Sequence, residues 1–308
     1  MLSFIVGKAI HSNFALRYDG NPKLRYETAE EAGCNSKPFS FYSGKNLLRG
    51  EKLYVGDIAK CQKALVFFHG IGAGHTAYTL ELSFFAKKGY LVYAFDNTGC
   101  MWSEGKEVGD LAQSVGDVNA FFTYLKQDKD FHGQPLFALG HSWGGVSVLH
   151  CLNEDIPVLK CVSLSGATPL VDFYTSAEKK MPDWLKKPIA AYLKRKYGKA
   201  VVEDINLLAT TKKPFLYLYG DQDDLVLRSS SHLTIGKYAK TNSCVEIRAI
   251  KGKRHNSYWT EKTELYIQEL VGKKKYTSLK CDPSVEFSLD FVKDDPAIMN
   301  YIFDFYER

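Results

Sequence analysis

The chain of 308 residues has little that would stitch it together, anchor it or load it with a prosthetic group. Its 7 cysteines are an odd count, scattered at 34, 61, 100, 151, 161, 244 and 281 without a CxxC pair. That scatter speaks against a disulfide framework or a zinc knuckle and predicts reduced thiols in a cytoplasmic setting. No apolar run reaches the length needed to span a bilayer. The opening MLSFIVGKAIHSNF has no basic stretch ahead of an apolar core, so a signal peptide is not expected. A glycine-lysine phosphate loop is missing, as are flavin and nicotinamide fingerprints, and no cofactor is expected. Net charge is only +5, which makes nucleic acid a poor partner. Internal repeats and low-complexity tracts are absent.

What is present fits a globular enzyme-sized chain. Apolar residues make up 45% and charged residues 24%, enough for a core without staples. Residues 38–43 and 51–57 alternate around a glycine-containing turn, as an antiparallel hairpin does. Short continuous apolar runs follow at 64–68, 90–95, 135–139, 161–165, 214–219 and 244–250. Strands of that kind are buried on both faces, which predicts a mostly parallel sheet. Helical spacing separates them at 79–88, 108–126 and 146–152, and 295–306 reads as a helix with Pro296 in its first turn. The alternation gives an α/β fold with helices flanking a central sheet. Residues 1–38 carry no clear pattern. Residues 168–213 exceed what a crossover needs, and are expected to be an inserted helical cap on a core formed by 1–167 and 214–308. This insertion holds ten Lys/Arg against five Asp/Glu.

The stretch PLFALGHSWGG (135–145) carries the chemistry. An apolar strand runs into Gly140-His141-Ser142-Trp143-Gly144, with helical spacing after it. This is the context in which GxSxG holds a nucleophilic serine on a tight strand-to-helix turn. The plain alternative is a glycine turn. A serine hydroxyl needs a base to take its proton, and the base needs a carboxylate to fix its tautomer. In such a strand-turn-helix arrangement the order along the chain is serine, acid, histidine. Three histidines follow Ser142. His150 lies on the helix after it and His232 on a helix after the 214–219 run, whereas His255 follows the last strand and can reach over the serine. The acid belongs just past the 214–219 run, where Asp221, Asp223 and Asp224 compete. For the oxyanion, the loop His69-Gly70-Ile71-Gly72-Ala73-Gly74 offers backbone N–H groups. The N–H groups of Ile71 and Trp143 are the expected donors, with Gly70 and Trp143 lining the substrate site. His69 and His75 have no third partner that would make a metal site.

Together HGIGAG (69–74), FDNTGCMWSEG (95–105), GHSWGG (140–145), YGDQDDLV (219–226) and the His255 loop resemble the α/β-hydrolase superfamily. The nearest flavour is its monoglyceride lipase and serine aminopeptidase branch. The resemblance covers about residues 39–308 and matches the cap poorly. It implies the α/β-hydrolase fold. It also selects Asp223, because Gly220, Asp223 and Val226 fit the family pattern after the acid strand. Asp96, Gly99 and Ser103 match the fourth-strand loop, while Met101 stands where the family has a second glycine. Cys100 beside it reads as a buried structural thiol.

These residues lead to a serine esterase acting on a small-molecule ester of small or medium acyl chain. An aminopeptidase-like amide hydrolase is the alternative, and would need an amine anchor such as Glu104, Asp172 or Glu178. A silent hydrolase-fold binding protein is a third reading, which an intact triad opposes. In the cap, residues 183–198 place Lys186, Lys187, Lys194 and Arg195 beside an apolar face. That is either a solvated lid helix or a weak contact with an anionic membrane surface.

Overall fold

The first strands, Asn35–Ser43 (β1) and Asn46–Tyr54 (β2), form the expected hairpin with a tighter turn than the sequence suggests. Ser43 pairs with Asn46, so only Gly44 and Lys45 make the turn, and Gly44 has a φ of 58°. Gly50, read as part of the turn, lies inside β2 because the neighbouring strand runs close by. A Cβ there would come within 2.1 Å of the Ala94 carbonyl oxygen. This computed structural model describes residues 2–20, 24–72, 74–176, 182–226, 231–271 and 288–308.

The six apolar runs are Lys63–Phe68 (β3), Tyr90–Phe95 (β4), Leu136–His141 (β5), Lys160–Leu164 (β6), Phe215–Gly220 (β7) and Val245–Ile250 (β8). They join the hairpin in one 8-stranded sheet of order β1-β2-β4-β3-β5-β6-β7-β8. From β4 to β8 every pairing is parallel, and the two pairings of β2 are antiparallel.

Alternate residues of each strand go to opposite faces. Ala64, Val66 and Phe68 pack with Phe121 and Leu125 of the helix Gln113–Leu125 (α3) on one face. Leu65 and Phe67 pack on the other with Leu82 and Phe85 of Thr79–Lys87 (α2), and with Met299 and Ile302 of Pro296–Glu307 (α10). Truncating one of these buried side chains to alanine costs about 2–5 kcal/mol. Asp295 starts α10 by accepting the Ala297 N–H at 3.1 Å, with Pro296 at the first helical position. The helix α3 begins five residues later than the apolar spacing suggests. The N–H groups of Val108 and Gly109 are spent on the carbonyls of Leu16 and Phe14 instead.

Two features were not legible in the sequence. Leu2–Phe14 is a helix (α1) whose Val6 and Ile10 pack beside Ile189 and Tyr192 of Lys186–Tyr197 (α6). After it, Arg17 donates to the carbonyls of Met101 at 2.8 Å, Ser103 at 3.0 Å and Gly105 at 2.6 Å. Between β6 and β7 lie Leu170–Ser176 (α5), α6 and Ala200–Glu203 (α7). Pro188 lies within α6. It sits in the first turn of α6, where a missing N–H costs nothing. No helix among the described residues is long and apolar enough to cross a membrane.

Candidate active site

Strand β5 ends at His141, and the helix Gly144–His150 (α4) starts three residues later. Ser142 in between has a φ of 55°, left-handed backbone that a residue with a Cβ rarely adopts. The strain is over-determined by its surroundings. Ser142 N–H donates to Leu164 O at 2.9 Å, and its carbonyl accepts from Gly145 and Ala167, each at 3.0 Å. The turn also requires glycine on either side. A Cβ on Gly140 would meet the Gly144 oxygen at 2.5 Å, and one on Gly144 would meet the Phe68 oxygen at 2.0 Å.

The loops after β7 and β8 bring Asp223 and His255 to this turn. His255 Nε2 lies 2.8 Å from Ser142 Oγ, and His255 Nδ1 lies 2.9 Å from Asp223 Oδ2. The other carboxylate oxygen of Asp223 accepts from Leu225 N–H at 2.8 Å and Val226 N–H at 2.9 Å. Burial pushes the Asp223 carboxyl up. The His255 ring and those two N–H groups outweigh it and hold the group below the usual carboxylate range. The two competing aspartates have other partners. Asp221 accepts from Gly252 N–H at 2.7 Å, and Asp224 pairs with Arg254 at 3.0 Å. Among the other histidines, His150 bonds Asp204 and Asn119, and the His232 ring lies tilted against Tyr219.

Gly70 lies directly against the serine, so that a Cβ on it would come within 3.2 Å of Ser142 Cβ. Asn97 N–H donates to His69 Nε2 at 2.9 Å, which leaves the proton on Nδ1. That Nδ1–H donates to Gly70 O at 2.7 Å. Gly70 C=O and Ile71 N–H belong to one trans peptide and point in opposite directions. His69 therefore fixes the direction of the Ile71 N–H. Among the described residues neither the Ile71 nor the Trp143 backbone N–H has an acceptor. The Trp143 side chain points into the protein. It is wholly buried, and its Nε1 donates to Leu111 O at 2.7 Å.

The 96–105 loop is a brace. Asp96 accepts from His75 N–H at 2.7 Å and Trp102 N–H at 3.0 Å, and Ser103 Oγ donates to Asp96 O at 2.5 Å. Met101 has a φ of 38°, the conformation for which glycine is the easy choice. Met101 holds it because its N–H donates to Tyr18 O at 2.9 Å and its carbonyl is gripped by Arg17. Cys100 is fully buried, and burial pushes its thiol well up. His69 and His75 serve different partners, since His75 Nδ1 lies 2.8 Å from Asp96. Of the amine-anchor candidates, Glu104 accepts from Leu47 N–H and Asp172 pairs with Lys186, while Glu178 lies outside the described residues.

Residues 59–204 match the family described as serine aminopeptidase, S33. No curated protein matches the chain. Among solved structures, the chain is similar to an esterase from Pyrococcus furiosus. Identity is 20%, the TM-score is 0.60, and the match covers 77% of this chain and 91% of that one. It is also similar to the acylaminoacyl peptidase of Pyrococcus horikoshii. There identity is 18%, the TM-score is 0.53, and the match covers 76% of this chain but 39% of that one. With the sheet described above, these likenesses give the chain the α/β-hydrolase fold.

Proposed function

We propose that this α/β-hydrolase is a serine esterase, cleaving carboxylic esters of small or medium acyl chain through an acyl-enzyme on Ser142. The observation that carries the reading is the 2.8 Å and 2.9 Å pair of contacts running Ser142–His255–Asp223. In this mechanism Ser142 Oγ attacks the ester carbonyl as its proton passes to His255 Nε2. Asp223 holds the ring in the tautomer with a proton on Nδ1 and offsets its positive charge. The negative carbonyl oxygen takes hydrogen bonds from Ile71 N–H and Trp143 N–H, which cost no reorganisation because both lie on fixed backbone. His255 gives its proton to the departing alcohol. It then takes a proton from water as the water attacks the acyl-Ser142 carbonyl, and returns it to Ser142 Oγ as that C–O bond breaks, releasing the acid and restoring the neutral base and the free hydroxyl.

Residues 168–213 act in this reading as a cap on the core. Support comes from α5 and α6, which share an apolar cluster with Trp143, the residue next to the nucleophile. Two likenesses weigh differently on the substrate. The esterase from Pyrococcus furiosus matches over 91% of its length, the peptidase from Pyrococcus horikoshii over 39%. The first favours a chain of the same build working on esters. Amide hydrolysis is the second reading, favoured by the serine aminopeptidase description of the match at 59–204. Steady-state rates on p-nitrophenyl esters from acetate to decanoate, alongside aminoacyl p-nitroanilides, separate the two. Turnover confined to the shorter esters supports the proposal, and preference for the anilides moves it to the second reading. Ser142→Ala abolishes turnover in either case, leaving at most a residue about 10³–10⁴-fold above the uncatalysed rate.

A further inference from the structure

Behind Ser142 a chain of hydrogen bonds crosses from one side of the site to the other. Gly70 N–H donates to the Tyr78 hydroxyl oxygen at 3.1 Å. The Tyr78 hydroxyl lies 2.8 Å from His141 Nδ1, and His141 Nε2 lies 3.3 Å from the carbonyl oxygen of His255. The directions follow from the two ends. A carbonyl can only accept, so the His141 proton sits on Nε2. Nδ1 is then a lone-pair acceptor, and Tyr78 must donate to it. The Tyr78 oxygen is left free to accept from the Gly70 N–H. Every link has one orientation.

The relay is also held in neutral form. His141 and Tyr78 are both buried. Burial, and then the neighbouring His255, push the His141 ring down to about 3, and burial pushes the Tyr78 hydroxyl up. His141 is gripped by aromatic rings as well, with ring centroids 4.9 Å from His255, 5.1 Å from Tyr258 and 5.7 Å from Tyr78. Neither side chain has a nitrogen or oxygen left over for a substrate.

We infer that Tyr78 and His141 are positioning residues that tie the Gly70–Ile71 backbone to the His255 loop, fixing the spacing of oxyanion donor and base around Ser142. The inference rests on the serine-esterase reading and adds two residues to it. Small displacements of such groups cost rate because the reacting atoms must be aligned within a fraction of an ångström. His69 fixes the direction of the Ile71 N–H, and the Tyr78 link fixes where that backbone stands. Two independent restraints thus meet on one peptide. The chain is continuous, so cutting it at either residue releases the same connection.

The test uses the full-length protein in four variants: Tyr78→Phe, His141→Leu, His141→Gln and the Tyr78→Phe/His141→Leu pair. Folding is followed by circular dichroism and thermal melting. Function is read as kcat and KM on one short ester, and as the rate at which a fluorophosphonate labels Ser142. Tyr78→Phe and His141→Leu each lower kcat and the labelling rate about tenfold, the scale of one or two lost net hydrogen bonds. KM stays near the parent value. His141→Gln, whose amide can donate to His255 O and accept from Tyr78, recovers much of the loss. The double variant is no slower than the slower single variant, because both break one chain. Folded Tyr78→Phe and His141→Leu at parental rates, with only a lower melting temperature, overturn the inference. So do losses that multiply in the double variant. If the parent protein itself is not labelled at Ser142, the esterase reading fails first and takes this inference with it.

Discussion

Three neighbouring carboxylates in the loop after β7 have different surroundings, and those surroundings decide what each can do. Asp223 is buried, faces His255 and accepts two backbone N–H groups. Asp221 and Asp224 are exposed and hold Gly252 and Arg254. Asp223→Asn should lower kcat by roughly 10⁴-fold with little change in KM, since the wrong tautomer of the base is then favoured. Asp221→Asn and Asp224→Asn should keep activity within a few-fold of the parent, because exposed pairs are worth little. Rates for the three variants on one ester decide it, and a crippled Asp221 or Asp224 variant would reassign the acid. Residue chemistry alone left these three open; the choice came from a family spacing. His141 was passed over because a histidine beside a serine inside a glycine turn looks like part of the turn. The only signal was that a buried ring there must find two partners. The Tyr78 that supplies one of them is 63 positions away.

At the scale of elements, the strands were the legible part. A doubly buried strand leaves an uninterrupted apolar run, and YLVYAF coincides with β4 residue for residue. Helix α1 was illegible for the opposite reason. Leu2, Phe4 and Ile5 are exposed while Val6 and Ile10 are buried, so its apolar residues surround the axis and leave no stripe. The late start of α3 was also hidden, since nothing local shows that residues 14–16 will take its first N–H groups. The exposed apolar residues of α1 bear on the choice between a solvated lid helix and a weak contact with an anionic membrane surface. Trp184, beside the start of α6, is 62% exposed. Not all the basic residues of α6 are equal. Lys186 pairs with Asp172 and Asp183, and Lys194 with Glu203. Lys187 and Arg195 have no acidic partner among the described residues. Binding to phosphatidylserine-containing vesicles should exceed binding to neutral ones and weaken with salt. Lys187→Gln/Arg195→Gln should remove more of the difference than Lys186→Gln/Lys194→Gln. Equal binding to both vesicle types in a sedimentation assay would leave α6 as a solvated lid helix.

For the whole molecule, buried charge sets how stability responds to pH. Burial pushes His75 down, but Asp96 and Glu51 outweigh it and hold the ring up at about 9. A raised histidine stabilises the fold fully below its unfolded value of 6.5. That contribution is lost as pH rises through about 9. Stability from urea unfolding should therefore fall by on the order of 3 kcal/mol between pH 6.5 and 10, and His75→Gln should flatten that slope. Glu81 works in a separate window. Burial raises it to about 7, so its proton-linked contribution is lost between about 4.5 and 7. Asp223 acts in the acid range. Its carboxyl is held below 3.8, so its contribution is present above that value and lost as pH falls through the folded one. A slope unchanged by His75→Gln would place the charge elsewhere.

The proposed chemistry requires Ser142 to be the nucleophile of the folded protein. Its hydroxyl is 2.8 Å from the base, and its backbone is held at a φ of 55°. The direct measurement is to incubate the protein with a fluorophosphonate, digest it and locate the adduct by mass spectrometry. A single phosphonylated site at Ser142, lost in His255→Ala that still folds, is the predicted result. An adduct on another residue, or none on folded protein, would contradict it.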